Sequence, residues 1–386
     1  MNGNPGQRRE MITTTPLPTW KELAAPFARP ALDDEPSAAP WRGKDGGEGQ
    51  AFWFSRSAWA MKAIVRWWSS LHEGRKPVLW LPDYFCNQST YPLREINVTP
   101  VFYPIDMDLR PDREARRAMA ALAAPDLFVI VHYFGIPADA AAARSFCDET
   151  GAYLIEDAAH ALGPAPGIGE QGDFIFYSPH KILAVPDGAL LLMRPKDGAG
   201  IIREAANGGG YSKALTGAWI IRRTLQKILP EPLLARRARR QKPAFADDPP
   251  YKPLPPETRI SSTARAMLAD AAEIMPAAAK ARRRNWLALR QALNGLKGCR
   301  PLEIADQATP YRFVLRCDDE ATAAALFDSL HAGGCPAESW PDLPPEAWAE
   351  PGRHQAAIRL RRTLVLLPVH QTAGMNELIA CCEKIL

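Results

Sequence analysis

Leu154-Ile155-Glu156-Asp157-Ala158-Ala159-His160 and, further along, Phe174-Ile175-Phe176-Tyr177-Ser178-Pro179-His180-Lys181 decide how this chain is read. Each begins as an apolar strand. The first ends in a carboxylate, the second in a serine, a histidine and a lysine. Pyridoxal phosphate (PLP) demands two groups of a protein: an amine that forms a Schiff base and an acid that keeps the ring nitrogen protonated. Asp157 supplies the acid and Lys181 the amine. A nearby carboxylate favours the charged ring nitrogen, which is what turns the ring into an electron sink. Alone, a strand-end aspartate reads as a helix cap and a lone lysine as a solvated charge. Together, each behind a buried strand, they point to catalysis.

Working outward, Val78–Leu81, Thr99–Tyr103, Leu127–His132, Tyr153–Glu156 and Ala189–Met193 are further apolar runs. Between them lie helical patterns at Asn87–Arg94, Asp112–Ala124 and Ala138–Thr150. Before them Ser57 reads as the N-cap of a helix carrying Ala60, Ile64, Trp67, Trp68 and Leu71, stopped by Gly74. Strands without polar alternation are covered on both faces, so an α/β fold with a mostly parallel sheet covered by helices is expected. Ligands of such sheets sit beyond the carboxyl ends of the strands, where Asp157, His132 and Ser178 fall. Thr258–Leu296 reads as helical, followed by strands at Tyr311–Arg316 and Thr363–Leu367 and helices at Glu320–Ala332 and Met375–Leu386, a smaller α+β domain. The expected organisation is an N-terminal arm over 1–50 with a short helix near Trp20–Phe27, and a large PLP-binding domain over 51–242. A Pro-rich linker or arm over 243–257 and a small C-terminal domain over 258–386 complete it.

At 386 residues, with 47% hydrophobic and 23% charged residues, the chain has the composition of a soluble globular protein. It holds no run of membrane-spanning length, and the polar start Met1-Asn2-Gly3-Asn4 is no signal peptide, so a cytoplasmic location is expected. The seven cysteines form no CxxC pair and no zinc spacing; they read as reduced thiols, and no metal is expected. A net charge of +4 is too small to argue for nucleic acid. The clusters Arg236–Arg240 and Arg282–Arg284 read as solvated helix faces.

In this order the motifs resemble the DegT/DnrJ/StrS sugar aminotransferase family of fold-type I PLP enzymes, from about Phe52 to the C-terminus. The resemblance lies in Leu81-Pro82-Asp83-Tyr84, Val131-His132-Tyr133-Phe134-Gly135-Ile136-Pro137-Ala138-Asp139, Glu156–His160, the Ser178/Lys181 segment and Leu366-Leu367-Pro368-Val369-His370. It implies that Lys181 is the Schiff-base lysine, Asp157 the partner of the pyridine nitrogen and His160 a neighbour of the phenolic oxygen. Ser57 and Ala58 would bind the phosphate at a helix start, where free N–H groups and a positive dipole end meet an anion, with Ser178 as a second phosphate ligand. Tyr84 is taken as the aromatic stacked on the ring, with Phe85 and Cys86 as alternative registers. Arg259 would reach the partner subunit's phosphate site. The implied activity moves an amino group from an amino acid such as glutamate to a keto sugar, nucleotide-linked, in nucleotide-sugar metabolism or polysaccharide biosynthesis. The implied unit is a homodimer, for which Trp53, Trp59, Trp67 and Trp68 offer apolar surface. Departures mark a divergent member. Ser55-Arg56-Ser57-Ala58 replaces Gly-Ser-Gly-Thr, Pro186-Asp187-Gly188-Ala189 replaces Gly-Glu-Gly-Gly, and the serine-to-lysine spacing is shorter.

Two other readings remain open. Ser178-Pro179-His180-Lys181 also resembles class V PLP enzymes, lyases and cysteine desulfurases among them, for which Cys335 in Gly333-Gly334-Cys335-Pro336 is the candidate nucleophile. A non-catalytic or regulatory PLP-fold protein is the other. A dehydratase branch of the family carries histidine in place of the lysine. His132 divides evenly between a structural and a substrate role. His180 is expected in an extended segment, facing away from the ring.

Overall fold

The computed structural model describes residues 12–29, 35–43, 49–210, 213–229, 245, 253–340 and 342–385. A seven-stranded sheet contains β1 (Gln50–Phe54), β2 (Val78–Pro82), β3 (Thr99–Tyr103), β4 (Leu127–Val131), β5 (Tyr153–Ala158), β6 (Phe174–Tyr177) and β7 (Ala189–Met193). Their order is β1-β7-β6-β5-β4-β2-β3. From β3 across to β6 neighbours run parallel; β7 is antiparallel to β6, and β1 to β7. Side chains alternate between two faces. Phe174 and Phe176 join one core with helix Ser57–Leu71, while Ile175 and Tyr177 join another with Met267, Ala271 and Ala278. With both faces covered, β4 and β7 carry apolar residues throughout, every one buried. This is the expected fold-type I architecture.

Several local expectations shift. Ser57 is the first residue of its helix, and Arg56 is the cap, with no side-chain capping bond. The helical stretch after residue 258 divides into Ser262–Leu268 and Ala271–Ala292. At the break Asp270 does not cap the second helix, because its carboxylate faces Arg29 of the N-terminal segment at 3.0 Å. That segment carries the helix Trp20–Ala28, begun by a Thr19/Glu22 capping box. Strand β1 and the helices Ala199–Asn207 and Lys213–Ile228 were not expected. Of the four tryptophans at the start of the large domain, Trp53, Trp67 and Trp68 are buried within the chain, and Trp59 is half-buried. Trp53 packs edge-on against Trp41, Trp67 packs against Tyr153 and Phe174, and Trp68 stacks on His72. Most of the 243–257 segment and all of Arg236–Arg240 lie outside the described residues. Among the described residues no helix is long and apolar enough to cross a membrane.

The second sheet is antiparallel, in the order β10-β9-β8, with β8 (Cys299–Pro301), β9 (Arg312–Cys317) and β10 (Leu364–Pro368). Helix Ala271–Ala292 ties it to the larger sheet through Arg282, which is buried rather than solvated. Its guanidinium donates to the Ile182 carbonyl at 2.7 Å, to the Pro310 and Tyr311 carbonyls at 3.3 and 3.2 Å, and to Gln371 Oε1 at 3.1 Å. One side chain thus fixes the turn behind Lys181 against the start of β9. Arg282→Met keeps much of the volume but removes these charged hydrogen bonds; the Ile182 and Tyr311 carbonyls keep Gln371 Nε2 and Arg312 Nη1 as donors, so the loss is that of the remaining bonds, roughly 2 kcal/mol. Urea unfolding of the two proteins measures it; equal stability would show that the strut is dispensable.

Candidate active site

Glu156 is fully buried at the end of β5. It accepts hydrogen bonds from His132 Nε2 at 2.8 Å and from the Gly169, Gln171 and Gly172 N–H groups at 2.6, 2.7 and 2.6 Å. Burial works to raise its pKa, but the His132 bond and the main-chain donors prevail and hold it below the usual carboxylate value. His132 Nδ1 accepts the Ala138 N–H at 3.0 Å, so Nε2 carries the proton and the ring is held in one tautomer. The geometry gives His132 the structural role. Its own N–H donates to the Asp157 carbonyl at 3.0 Å, joining the ends of β4 and β5.

Because successive strand side chains alternate, fixing Glu156 on one face turns Asp157 to the other. There Asp157, His160, Lys181, Ser57 and Ala58 line one cavity of about 250 Å³. Burial raises the Asp157 carboxyl, opposed by the Lys181 charge and the Ala159 N–H. Burial likewise holds His160 neutral, well below the ordinary histidine value, and Lys181 and Arg312 add to that. The His160 ring stacks on Tyr311 with centroids 4.4 Å apart, and its Nε2 lies 3.4 Å from Lys181 Nζ. Lys181 sits on a helical turn, Pro179–Ile182, rather than an extended segment. His180 still leaves the cavity, with Nδ1 at 2.9 Å from the Gly188 carbonyl.

These groups fit PLP. The first N–H groups of helix Ser57–Leu71 have no side-chain cap and border the cavity. The predicted second phosphate ligand, Ser178, is fully buried with its hydroxyl free of hydrogen-bond partners among the described residues, but it does not line the cavity. A carboxylate and an amine face the same space.

Tyr84 does not line the cavity. It is buried behind it, stacked on Trp340 at 4.5 Å, and Phe85 and Cys86 face the cavity instead. The one-residue difference follows from Asp83, whose buried carboxylate is held by His354 and the Ile105 N–H. Arg259 also stays outside; it pairs through its backbone with Phe54 and lines a separate pocket with Arg56 and His180. Cys335 is buried in the small domain, with Cys381 and Cys382 beside it and its thiol pKa raised. It is not on an accessible loop, and the desulfurase reading loses its nucleophile. Sequence reasoning missed Phe134, Tyr311, Arg312, Glu338 and Trp340, which also line the cavity. Phe134 holds a left-handed backbone, φ 58°, which bulky residues rarely adopt. A buried arginine at the head of an apolar strand was the one available signal for Arg312.

The fold and this constellation define a fold-type I PLP enzyme. The family model for DegT/DnrJ/EryC1/StrS aminotransferases matches residues 88–340, and the chain belongs to that family, whose members are PLP-dependent aminotransferases. Among solved structures, the aminotransferase TlmJ from Streptoalloteichus hindustanus is 19% identical, covers 97% of this chain and 98% of its own, and superposes with a TM-score of 0.71. Helicobacter pylori PseC, an aminotransferase involved in the biosynthesis of pseudoaminic acid, is 15% identical, with coverage of 97% and 99% and a TM-score of 0.70. E. coli GDP-4-keto-6-deoxy-D-mannose-3-dehydratase, with bound hydrated PLP, is 13% identical, with coverage of 98% and 100% and a TM-score of 0.71. At such identities these likenesses concern the fold. A serine hydroxymethyltransferase of Prochlorococcus marinus (strain MIT 9313) is 38% identical over 105 residues, 25% of this chain and 24% of that protein. The chain thus spans about a quarter of the length of the curated relatives it matches.

The lowered pKa of Glu156 carries a stability prediction. A depressed carboxyl stabilises the fold above its unfolded value, about 4.3, and that contribution is lost as pH falls through the folded value. Glu156→Gln should therefore cost about 3 kcal/mol at neutral pH, with the gap to the wild type narrowing below about pH 4.3. Urea titrations across pH test this; a gap independent of pH would refute the ionised Glu156 carboxylate.

Proposed function

We propose that this protein transfers an amino group from an amino acid, glutamate or a similar donor, to a keto sugar carried on a nucleotide, working in the cytoplasm. The observation that carries the reading is the convergence of Lys181 and Asp157, from neighbouring strand ends, on a cavity bordered by an uncapped helix start. The sugar is supported by the family and by what the structural neighbours are said to make or act on.

When bound, PLP supplies an electron sink for the carbon bearing the amine. The chain does the rest. The N–H groups at Ser57 and Ala58, with the Ser178 hydroxyl, would hold the phosphate. Asp157 would stabilise positive charge on the ring nitrogen. Lys181 Nζ would anchor the cofactor and, once displaced by the donor's amine, would carry the proton from the donor's α-carbon to the cofactor carbon that bears the transferred nitrogen, as general base and then general acid. Neutral His160 beside Nζ keeps a second positive charge away from the amine. Tyr311 and Trp340 close the small-domain side against water. The dehydratase branch is disfavoured because Lys181 stands where that branch has histidine, and a non-catalytic role because both Lys181 and Asp157 face the cavity.

Borohydride reduction of the PLP-loaded protein should attach the cofactor to the peptide containing Lys181. Lys181→Ala should abolish that label, and Asp157→Asn should keep it while turnover falls by about 10²- to 10⁴-fold. Labelling at another lysine, or near-normal turnover without Asp157, removes the assignment.

The working unit proposed is a homodimer in which Arg259 reaches the neighbouring phosphate site. Two features support it: Arg259 is turned away from its own cavity, and helix Lys213–Ile228 leaves Ile221, Leu225 and Ile228 exposed. Arg259→Ala should weaken PLP binding without lowering the unfolding midpoint of the cofactor-free protein. Sedimentation that finds a fully active monomer sinks the claim.

A further inference from the structure

Five of the seven cysteines lie in the small domain, and two of them face each other across its sheet. Cys299 opens β8, the three-residue edge strand, and Cys317 closes β9. The register sets Cys299 opposite Cys317, Arg300 opposite Arg316 and Pro301 opposite Leu315. Opposed residues in an antiparallel pair alternate between those that exchange main-chain hydrogen bonds and those that do not. Here the Leu302 N–H donates to the Val314 carbonyl and the Asp318 N–H to the Gly298 carbonyl, each at 2.8 Å. Cys299 and Cys317 therefore form the closer, non-hydrogen-bonded kind of pair, and so does Pro301 with Leu315, where the missing proline N–H costs nothing. The Cα atoms of such a pair lie about 4.5 Å apart, inside the span of about 4.4–6.8 Å that a disulfide bridges. The two sulfurs are 2.9 Å apart, and both are thiols.

The pair is unequal. Cys299 is half-buried at the sheet edge, whereas Cys317 is 3% exposed. The contact with Cys317 lowers the Cys299 thiol pKa, against burial and the charges of Asp318 and Asp319, and the same contact raises that of Cys317. One sulfur is thus poised as thiolate and the other as its proton donor. The remaining thiols are placed differently. Burial pushes Cys86 up to about 11 and Cys147 up to about 12. Cys335 lowers the neighbouring Cys381 thiol to about 7, but Cys335, Cys381 and Cys382 are all buried, and an oxidant must enter the core to reach them.

We propose that Cys299 and Cys317 are a reversible redox pair, in which Cys299 takes an oxygen atom from a peroxide and Cys317 resolves the product to a disulfide. In the first step the Cys299 sulfur attacks hydrogen peroxide. An S–O bond forms, the O–O bond breaks, and the departing hydroxide leaves as water with the thiol's proton. In the second step the Cys317 sulfur attacks that of Cys299. The S–S bond forms, the S–O bond breaks, and hydroxide leaves as a second water with the Cys317 proton. The two thiols together give up two electrons, the peroxide takes them, and two molecules of a small thiol such as glutathione reverse the change by exchange. In the cytoplasm proposed above, such a bond is transient. Closure needs no movement of either strand, so Arg312 at the opposite end of β9, and Tyr311 just before it, keep their place at the cavity. The partner thiol thereby stops Cys299 short of the irreversible sulfinic state.

The test uses the full-length, PLP-loaded protein and hydrogen peroxide, followed by alkylation of the remaining thiols and peptide mapping by mass. The wild type should lose the mass of two hydrogen atoms, with Cys299 and Cys317 recovered in one linked pair of peptides, and dithiothreitol should restore both thiols. The oxidised protein should keep its cofactor absorbance. Cys299→Ser should abolish the disulfide. Cys317→Ser should instead carry sulfinic acid on Cys299, which dithiothreitol does not remove. A bond between Cys335 and Cys381 in its place, no bond at all, or a Cys317→Ser protein whose Cys299 stays a thiol overturns the proposal, as does loss of the cofactor on closure. If neither variant folds, the linked peptides of the wild type decide alone.

Discussion

A carboxylate withdrawn from water must find its full set of donors inside the protein or lose its charge, and Glu156 finds them in two pieces of chain separate from its own strand. His132 comes from the end of β4, the three N–H groups from the turn at residues 169–172, and Glu156 itself from β5. The requirement is met in one arrangement of these segments, which sets the spacing of the strand ends. Since neighbouring side chains in a strand point oppositely, the same requirement delivers Asp157 to the cavity. A structural demand on one side of the sheet thus aims a functional group on the other.

The large-domain half of the site was legible because its signals are local. Asp157, His160 and Lys181 follow apolar runs whose burial could be inferred from the absence of alternation, and Ser57 and Ala58 open a periodic helix. Strand β1 escaped notice because its five residues, Gln50–Phe54, follow a Gly-rich stretch and acquire a partner from distant β7. Tyr84 and Phe85 were separated by one position, a distinction that depends on where the buried Asp83 carboxylate finds its donors. No pattern within that segment records it.

The other half of the cavity belongs to the small domain, and its residues have no shared local signature. Arg312 opens β9 with Tyr311 just before it, Glu338 bridges to β10, and Trp340 reaches back to Tyr84. They converge through docking of one sheet against the other, which is a long-range event. Cys335 shows the converse error: a Gly-rich surround reads as an exposed loop, yet the side chain turns into the core beside Cys381 and Cys382.

Arg282 bridges the Ile182 carbonyl, immediately after Lys181, to Gln371 near the far end of the chain. On a ribosome, the large sheet can therefore assemble early, while the turn that bears the lysine, already tied to Gly188 through His180, gains its Arg282 and Gln371 bonds only as the second half of the chain emerges. Domains tend to fold in the order of their synthesis, and here that order postpones the completed cofactor cradle to the final stage. Until then the lysine stands on a turn that lacks these bonds. Retention of the cofactor would thus depend on the small domain as much as on the large sheet that supplies Asp157 and Lys181.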